Sequence, residues 1–372
     1  MTVGKTFLAL LFMIMFSPIA AYAAPITVQS FGGTCNGTAD DTNALQSWAA
    51  ATTANSTLDL YGDCTTTRKI TFPVRDNVSI IGKGIITYKG SDATTDIVQI
   101  GQTINDCSVT NWFVQDIVVR STTNMTAGDA LRLNDLCSSH FVNVNVGRTL
   151  NGDGKLFNAI HFNGGNTVHF TGGGSSAKNA AMIVNGDSST QFTDLFLECP
   201  TLLTSVTGLE IGGNVGGVEI PCGDILENYV NISIDRFYVN LPNQQIFLGP
   251  NLALDLTTGG ANHDLNVLDA GGSNSLLFIS GTWFASAQSD CINFNSGVAW
   301  RVNMTGGTVF NCRAAGIYVN SQNVVMNISG TYFDQDANYG INNPLGSVKK
   351  CGVGFGGNNG PANTSGTIGS NC

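Results

Sequence analysis

A triplet of apolar, variable and apolar residues followed by Asn returns along this chain at Leu131-Arg-Leu-Asn134, Ile160-His-Phe-Asn163, Met182-Ile-Val-Asn185, Ile292-Asn-Phe-Asn295 and Ile317-Tyr-Val-Asn320. Aligned on it, Asp129-Ala-Leu-Arg-Leu-Asn, Asn158-Ala-Ile-His-Phe-Asn, Ala180-Ala-Met-Ile-Val-Asn and the looser Thr207-Gly-Leu-Glu-Ile-Gly212 step by 29, 22 and 27 residues. The later copies at Cys291, Gly316 and Gly340 step by 25 and 24. A second motif keeps pace, as Ser280-Gly-Thr-Trp-Phe284, Gly306-Gly-Thr-Val-Phe310 and Ser329-Gly-Thr-Tyr-Phe333. Short strands, turn residues and a shared period of this length indicate a solenoid, in which each turn buries its apolar side against the next. Leucine-rich repeats would show their Leu and Asn consensus, and propeller blades are longer. The reading is a parallel β-helix, with successive coils at the strand spacing of about 4.8 Å. The Asn residues then stack at one corner, where Asn tolerates left-handed backbone and its amide can hydrogen-bond along the axis.

Composition agrees with strands and turns. Gly accounts for 45 of 372 residues and charged residues for only 11%, which disfavours amphipathic helices with salt-bridged surfaces. At the N-terminus, Lys5 precedes an apolar run from Phe7 to Phe16 and then Ala21-Tyr-Ala23, the pattern of a cleaved secretory signal peptide. Ser17-Pro18 interrupts that run before the roughly 20 apolar residues that a membrane span needs. Residues 1–23 are therefore read as a signal peptide, 24–54 as a cap, 55–350 as the β-helix and 351–372 as an irregular Gly- and Asn-rich tail. The expected product is exported, extracellular or periplasmic, with no membrane span. Its formal charge is −10, or −11 once Lys5 is removed, which argues against nucleic acid as a partner.

All ten cysteines follow the signal segment, an even number suited to disulfides in an oxidising compartment. Paired in chain order, they are separated by 29, 30, 23, 21 and 21 residues, close to the repeat, so each pair would join adjacent coils. Cys291 and Cys312 fit least well, because they fall at different points of their repeats. Spacing alone leaves the connectivity open. No CxxC or close Cys/His cluster suggests zinc.

A solenoid end exposes unpaired strand edges and needs covering. The Ala-rich run from Asp41 to Thr52 suits a capping helix, with Asp and Thr at its start to accept hydrogen bonds from free amides. Ser30-Phe-Gly-Gly-Thr-Cys-Asn-Gly-Thr-Ala-Asp-Asp-Thr-Asn-Ala-Leu-Gln46, Tyr61-Gly-Asp-Cys64 and Asn77-Val-Ser-Ile-Ile-Gly-Lys-Gly84 resemble the opening of the pectate-lyase-like superfamily of right-handed β-helices. That superfamily includes polysaccharide lyases, rhamnogalacturonan and polygalacturonan hydrolases, uronan epimerases and phage tailspikes. The resemblance implies a right-handed, all-β solenoid and places Asp40 and Asp41 in the cap rather than in chemistry. Gly33 and Cys35-Asn36 depart from the family pattern. Absent altogether are the polygalacturonase set, the pectate-lyase Arg-x-Pro-Arg and the epimerase Tyr-Asp-Pro-His.

Strand alternation points the middle residue of each triplet outward. Down one face this row reads Arg132, His161, Ile183 and Glu210, then Asn293, Tyr318 and Asn342. Glycan cleavage needs two carboxylates about the glycosidic bond, or a base beside a neutralised uronate. Glu210 is thus the candidate acid or base, His161 the proton carrier and Arg132 the group for a substrate carboxylate. Glu219, Asp224 and Glu227 are candidates for a second carboxylate. Asp290, Asp334 and Asp336, near Trp283, Trp300 and Tyr332, form an alternative set, with Arg313 and Asp336 read as an ion pair. No cofactor is expected; Asn151-Gly-Asp-Gly154 resembles part of a calcium loop but lacks its later acid. The expectation is an exported polysaccharide-cleaving hydrolase or lyase acting on a glycan laid along one face. The alternative is a non-catalytic glycan-binding or surface structural β-helix.

Overall fold

The computed structural model describes residues 24–102, 107, 109–147, 154–186, 192–235, 244–260, 262–268, 275–357 and 363–370. The expected signal peptide, most of the calcium-like loop and Cys372 lie outside these residues. Three strands make each full coil. One coil places Leu131 to Leu133 on a first face and Ser139 to Val142 on a second, both within the strand Asp129–Val142, and Asn145–Val146 on a third. The next coil repeats this with Asn158–Thr171 and Gly174–Ser176. Pairing is parallel and in register: Leu131 lies on Ile160, Phe141 on Phe170 and Val146 on Ser175. About 11 such turns make an all-β solenoid.

The apolar triplet residues build the core. Leu131, Leu133, Ile160, Phe162, Met182 and Val184 are all buried. Phe162 meets Phe141, Phe170 and Phe192 edge to face at 6.0 to 6.3 Å between centroids, an arrangement that suits the charge distribution of aromatic rings. At the N-terminal end the helix Thr42–Ala50 lays Leu45, Trp48 and Ala49 over the open core. Trp48 packs edge-on against Phe72 and Phe72 against Trp112. Asp40 accepts the Thr42 amide at 3.0 Å, while buried Asp41 accepts the amides of Thr34, Cys35 and Thr65 and ties the cap to the coil beneath.

Four disulfides join Cys35 to Cys64, Cys107 to Cys137, Cys199 to Cys222 and Cys291 to Cys312, each in chain order. The last forms although its cysteines are not stacked, since both turn into the core with Cα atoms 5.5 Å apart. Cys351 is also bonded.

Three expectations need correction. The Asn134 and Asn163 amides do stack, at 3.2 Å, but the left-handed residues are their successors, Asp135 and Gly164. Asn supplies the side-chain bond there and its neighbour the bend. The second motif is in register one residue away from its sequence match: Trp283 pairs with Thr308 and Thr308 with Tyr332. Gly281, Gly306 and Gly330 share a positive φ of 63 to 66°, so the turn glycine sets the register and Gly307 takes the place of Thr282 and Thr331. Finally, the segment read as an irregular tail carries strands Gly354–Phe355 and Thr364–Ser370, which extend the ladder.

The corrected register places Asp336 over Cys312, whose amide it accepts at 3.2 Å, and removes the shared repeat position that suggested a pair with Arg313. Burial, reinforced by Asp334, pushes the Asp336 carboxyl up to about 8. A carboxyl raised in the folded state favours the protonated fold, so its contribution is full below the unfolded value near 4 and is lost as pH rises through about 8. Asp336→Asn keeps an acceptor for Cys312. Thermal melts should show it more stable than wild type at pH 8, by a few °C or more, with the advantage gone at pH 4.

Candidate functional site

The first-face column forms as its spacing requires. Gln99, Arg132, His161, Ile183, Glu210 and Ser233 stack on successive strands, and the column continues through Asn266 to Asn293, Tyr318 and Asn342.

Within it, Arg132 and His161 are drawn together by a residue outside the triplet. Asp129 is 4% exposed, and its Oδ2 lies 2.8 Å from His161 Nδ1 and 3.3 Å from the Arg132 guanidinium. Asn158 donates to its other oxygen at 2.9 Å. Burial pushes this carboxyl up; the His161 hydrogen bond and charge, with Asn158 and Arg132, outweigh that and hold it below the usual range. One coil earlier, Asp96 lies 2.9 Å from Lys69 and 4.0 Å from Arg132. His161 Nε2 is 3.1 Å from Asn185 Oδ1, so an imidazolium would donate from both nitrogens, to Asp129 and to Asn185. The arrangement fixes the orientation of the ring and matches the Arg132 charge with protein carboxylates.

Glu210 stands two strands beyond His161, with Ile183 between them. Among the described residues its carboxyl makes no hydrogen bond or ion pair. Burial pushes it up, Asp235 adds to the rise and His161 opposes it. Asp235 follows the strand Val230–Ile234, two residues after Ser233, which pairs with Glu210. Strand geometry sets their Cα atoms about 8 Å apart on one diagonal. Asp129 and Asp235 escaped the sequence reading because both flank the triplet, Asp129 three residues before Arg132 and Asp235 two after Ser233, where no repeated motif sets the phase.

The other candidates do not join this group. Glu219 and Asp224 lie on Gly217–Leu226, beyond the corner, and Glu227 is an exposed turn residue at positive φ. Trp300 is buried in the core, Asp290 accepts the Ala315 amide at 2.9 Å and Asp334 that of Gly357 at 2.7 Å, so the C-terminal acids serve backbone turns. Among the described residues, the tight group of potential metal ligands is Cys35, Asp41 and Cys64, whose thiols are joined to each other and offer no thiolate.

No family model and no curated protein matches the chain. Solved structures do. The A-module of a mannuronan C-5 epimerase from Azotobacter vinelandii aligns over 93% of this chain and 99% of its own, at 13% identity and a TM-score of 0.62. Tailspike protein 3 of bacteriophage CBA120 aligns over 93% and 59%, at 15% identity and 0.57. A family 28 exopolygalacturonase from Yersinia enterocolitica aligns over 94% and 77%, at 9% identity and 0.55. At these identities the likeness is one of fold. The chain shares the right-handed parallel β-helix fold of these structures.

Asp129→Ala should destabilise the protein by about 3 kcal/mol at pH 7, since it leaves Arg132 and His161 against a partly buried face without their counterion. A carboxyl held low in the fold contributes above its unfolded value near 4 and loses that contribution as pH falls through the folded one. The difference in melting temperature from wild type should therefore narrow between pH 4 and pH 2.

Proposed function

We propose that this chain is an exported polysaccharide-cleaving hydrolase, with the glycan laid along the first face and Glu210 as general acid. The observation that carries the reading is the Glu210 carboxyl itself: half-buried, held up by burial and by Asp235, and without a protein partner among the described residues. Two neighbouring carboxylic groups whose environments differ are the arrangement that divides acid and base duties in glycoside hydrolysis. Glu210 gives its proton to the glycosidic oxygen as the bond to the anomeric carbon breaks. Asp235 takes a proton from water as the water oxygen bonds to that carbon. Strand geometry places the two residues on one diagonal of the sheet, so both border the same stretch of the first face. Asp129 orients His161 two strands before the acid, and Arg132 borders the glycan path one strand further.

Glycan chemistry is supported by two structural neighbours whose names state activities on mannuronan and polygalacturonan. Export is supported by the N-terminal segment and by disulfides of the kind kept in oxidising compartments. No helix among the described residues is long and apolar enough to cross a membrane.

Incubation with a panel of neutral and uronic polysaccharides should release new reducing ends without unsaturated products absorbing in the ultraviolet. Glu210→Gln and Asp235→Asn should each lower the rate about a hundredfold or more with the melting temperature held. Because the acid must be protonated, activity should fall as pH rises through a value above the ordinary Glu range. Unsaturated products would sink the hydrolytic reading. Binding without any product, across the panel, would favour a glycan-binding protein instead, a role compatible with Arg132 and His161 being neutralised by Asp129.

A further inference from the structure

The second face carries its own outward column: His140, His169, Phe196, Glu219, Phe247 and Phe278, one on each successive strand. Its rings stack along the solenoid axis. His140 and His169 lie 4.8 Å apart at 10°, His169 and Phe196 4.5 Å apart at 12°, and Phe247 and Phe278 4.8 Å apart at 5°. The ladder is broken at one rung, where Glu219 stands. Phe196 and Phe247 each have one face covered by the neighbouring ring, and their other faces look toward each other across two strand spacings, about 9 to 10 Å.

That gap opens into a groove of about 540 Å3, lined also by Asp194, Gln245 and Gly217. The size is that of ordinary small-ligand sites. Gly217 leaves the floor open; a Cβ there would come within 3.3 Å of Asp194 Oδ1. Phe247 is 38% exposed, and Glu219, Asp194 and Gln245 are exposed as well.

We infer that this missing rung is a binding site for one ring of a neutral glycan, separate from the first-face groove. A pyranose placed midway meets an aromatic face on either side at about 4.8 Å, the spacing at which the protein's own rings stack. Its apolar C–H faces match the rings, and its hydroxyls supply the donors that two acceptor-only carboxylates and the Gln245 carbonyl require. The charge chooses the class. The lining holds two carboxylates and no Lys, Arg or His, so a uronate or a phosphorylated ligand is repelled and an uncharged sugar is not.

The site does not depend on the role given to Glu210, because binding is read without turnover. Affinity electrophoresis of wild type and Glu210→Gln through gels containing β-glucan, xylan, galactomannan, polygalacturonate or alginate tests it. At least one neutral glycan should retard both proteins equally. Phe196→Ala and Phe247→Ala should each weaken that retardation tenfold or more with the fold intact, since Phe247 is exposed and Phe196 only partly buried. Tyr332→Ala, an exposed ring on the third face, should match wild type. Four results would overturn the inference: no retardation in any neutral gel; equal mobility of wild type and both Phe variants; loss of retardation by the Phe variants in the acidic gels instead; or sedimentation showing a wild-type oligomer that Phe247→Ala dissociates, which would make the face a contact between copies.

Discussion

In-register stacking of parallel strands decides nearly everything visible on this molecule. Each side chain sits one strand spacing from its counterpart on the coils before and after, so a surface residue answers first to its own column. Columns of amides bond to one another, as Asn293 does to Asn266 and Asn327 to Asn303. Rings stack. Charges of one sign cannot share adjacent rungs cheaply, and around Arg132 they are interleaved, with Lys69, Asp96, Asp129 and Arg132 linked in one chain. What looks like a candidate catalytic row is thus also a solution to a stacking problem.

The same constraint gives the solenoid two surfaces of different character. On the first face the column runs through ions and a half-buried acid, and the strands hold those groups in fixed positions, as a site that depends on placement requires. On the second it runs through aromatic rings interrupted once. Neither surface demands a special loop: each follows from which residue type falls at an outward phase of a strand that the core already fixes.

Much of this was legible in the sequence because the core is periodic. Ile160, Phe162, Met182 and Val184 announce the inward phase, and the outward phase of His161, Ile183 and Glu210 follows without further assumption. Legibility ended where periodicity ends. Asp129 and Asp235 lie just outside the triplet, where coil-to-coil similarity is too weak to fix a phase. The aromatic ladder was hidden because its strands share no repeated word, only a face. The second motif misled by one residue since the recurring Thr is conspicuous, while the bend is made by the glycine before it, at Gly281, Gly306 and Gly330.

The disulfides carry a consequence for how the molecule is made. Each of the four joins a cysteine to the next one along the chain, across 21 to 30 residues. A chain threaded through a membrane N-terminus first presents its thiols in that same order. The correct partner is then always the next to emerge, and oxidation in that order arrives at these four bonds without reshuffling. Covalent closure of these four pairs can thus keep pace with the emerging chain, each bond forming soon after its second cysteine appears.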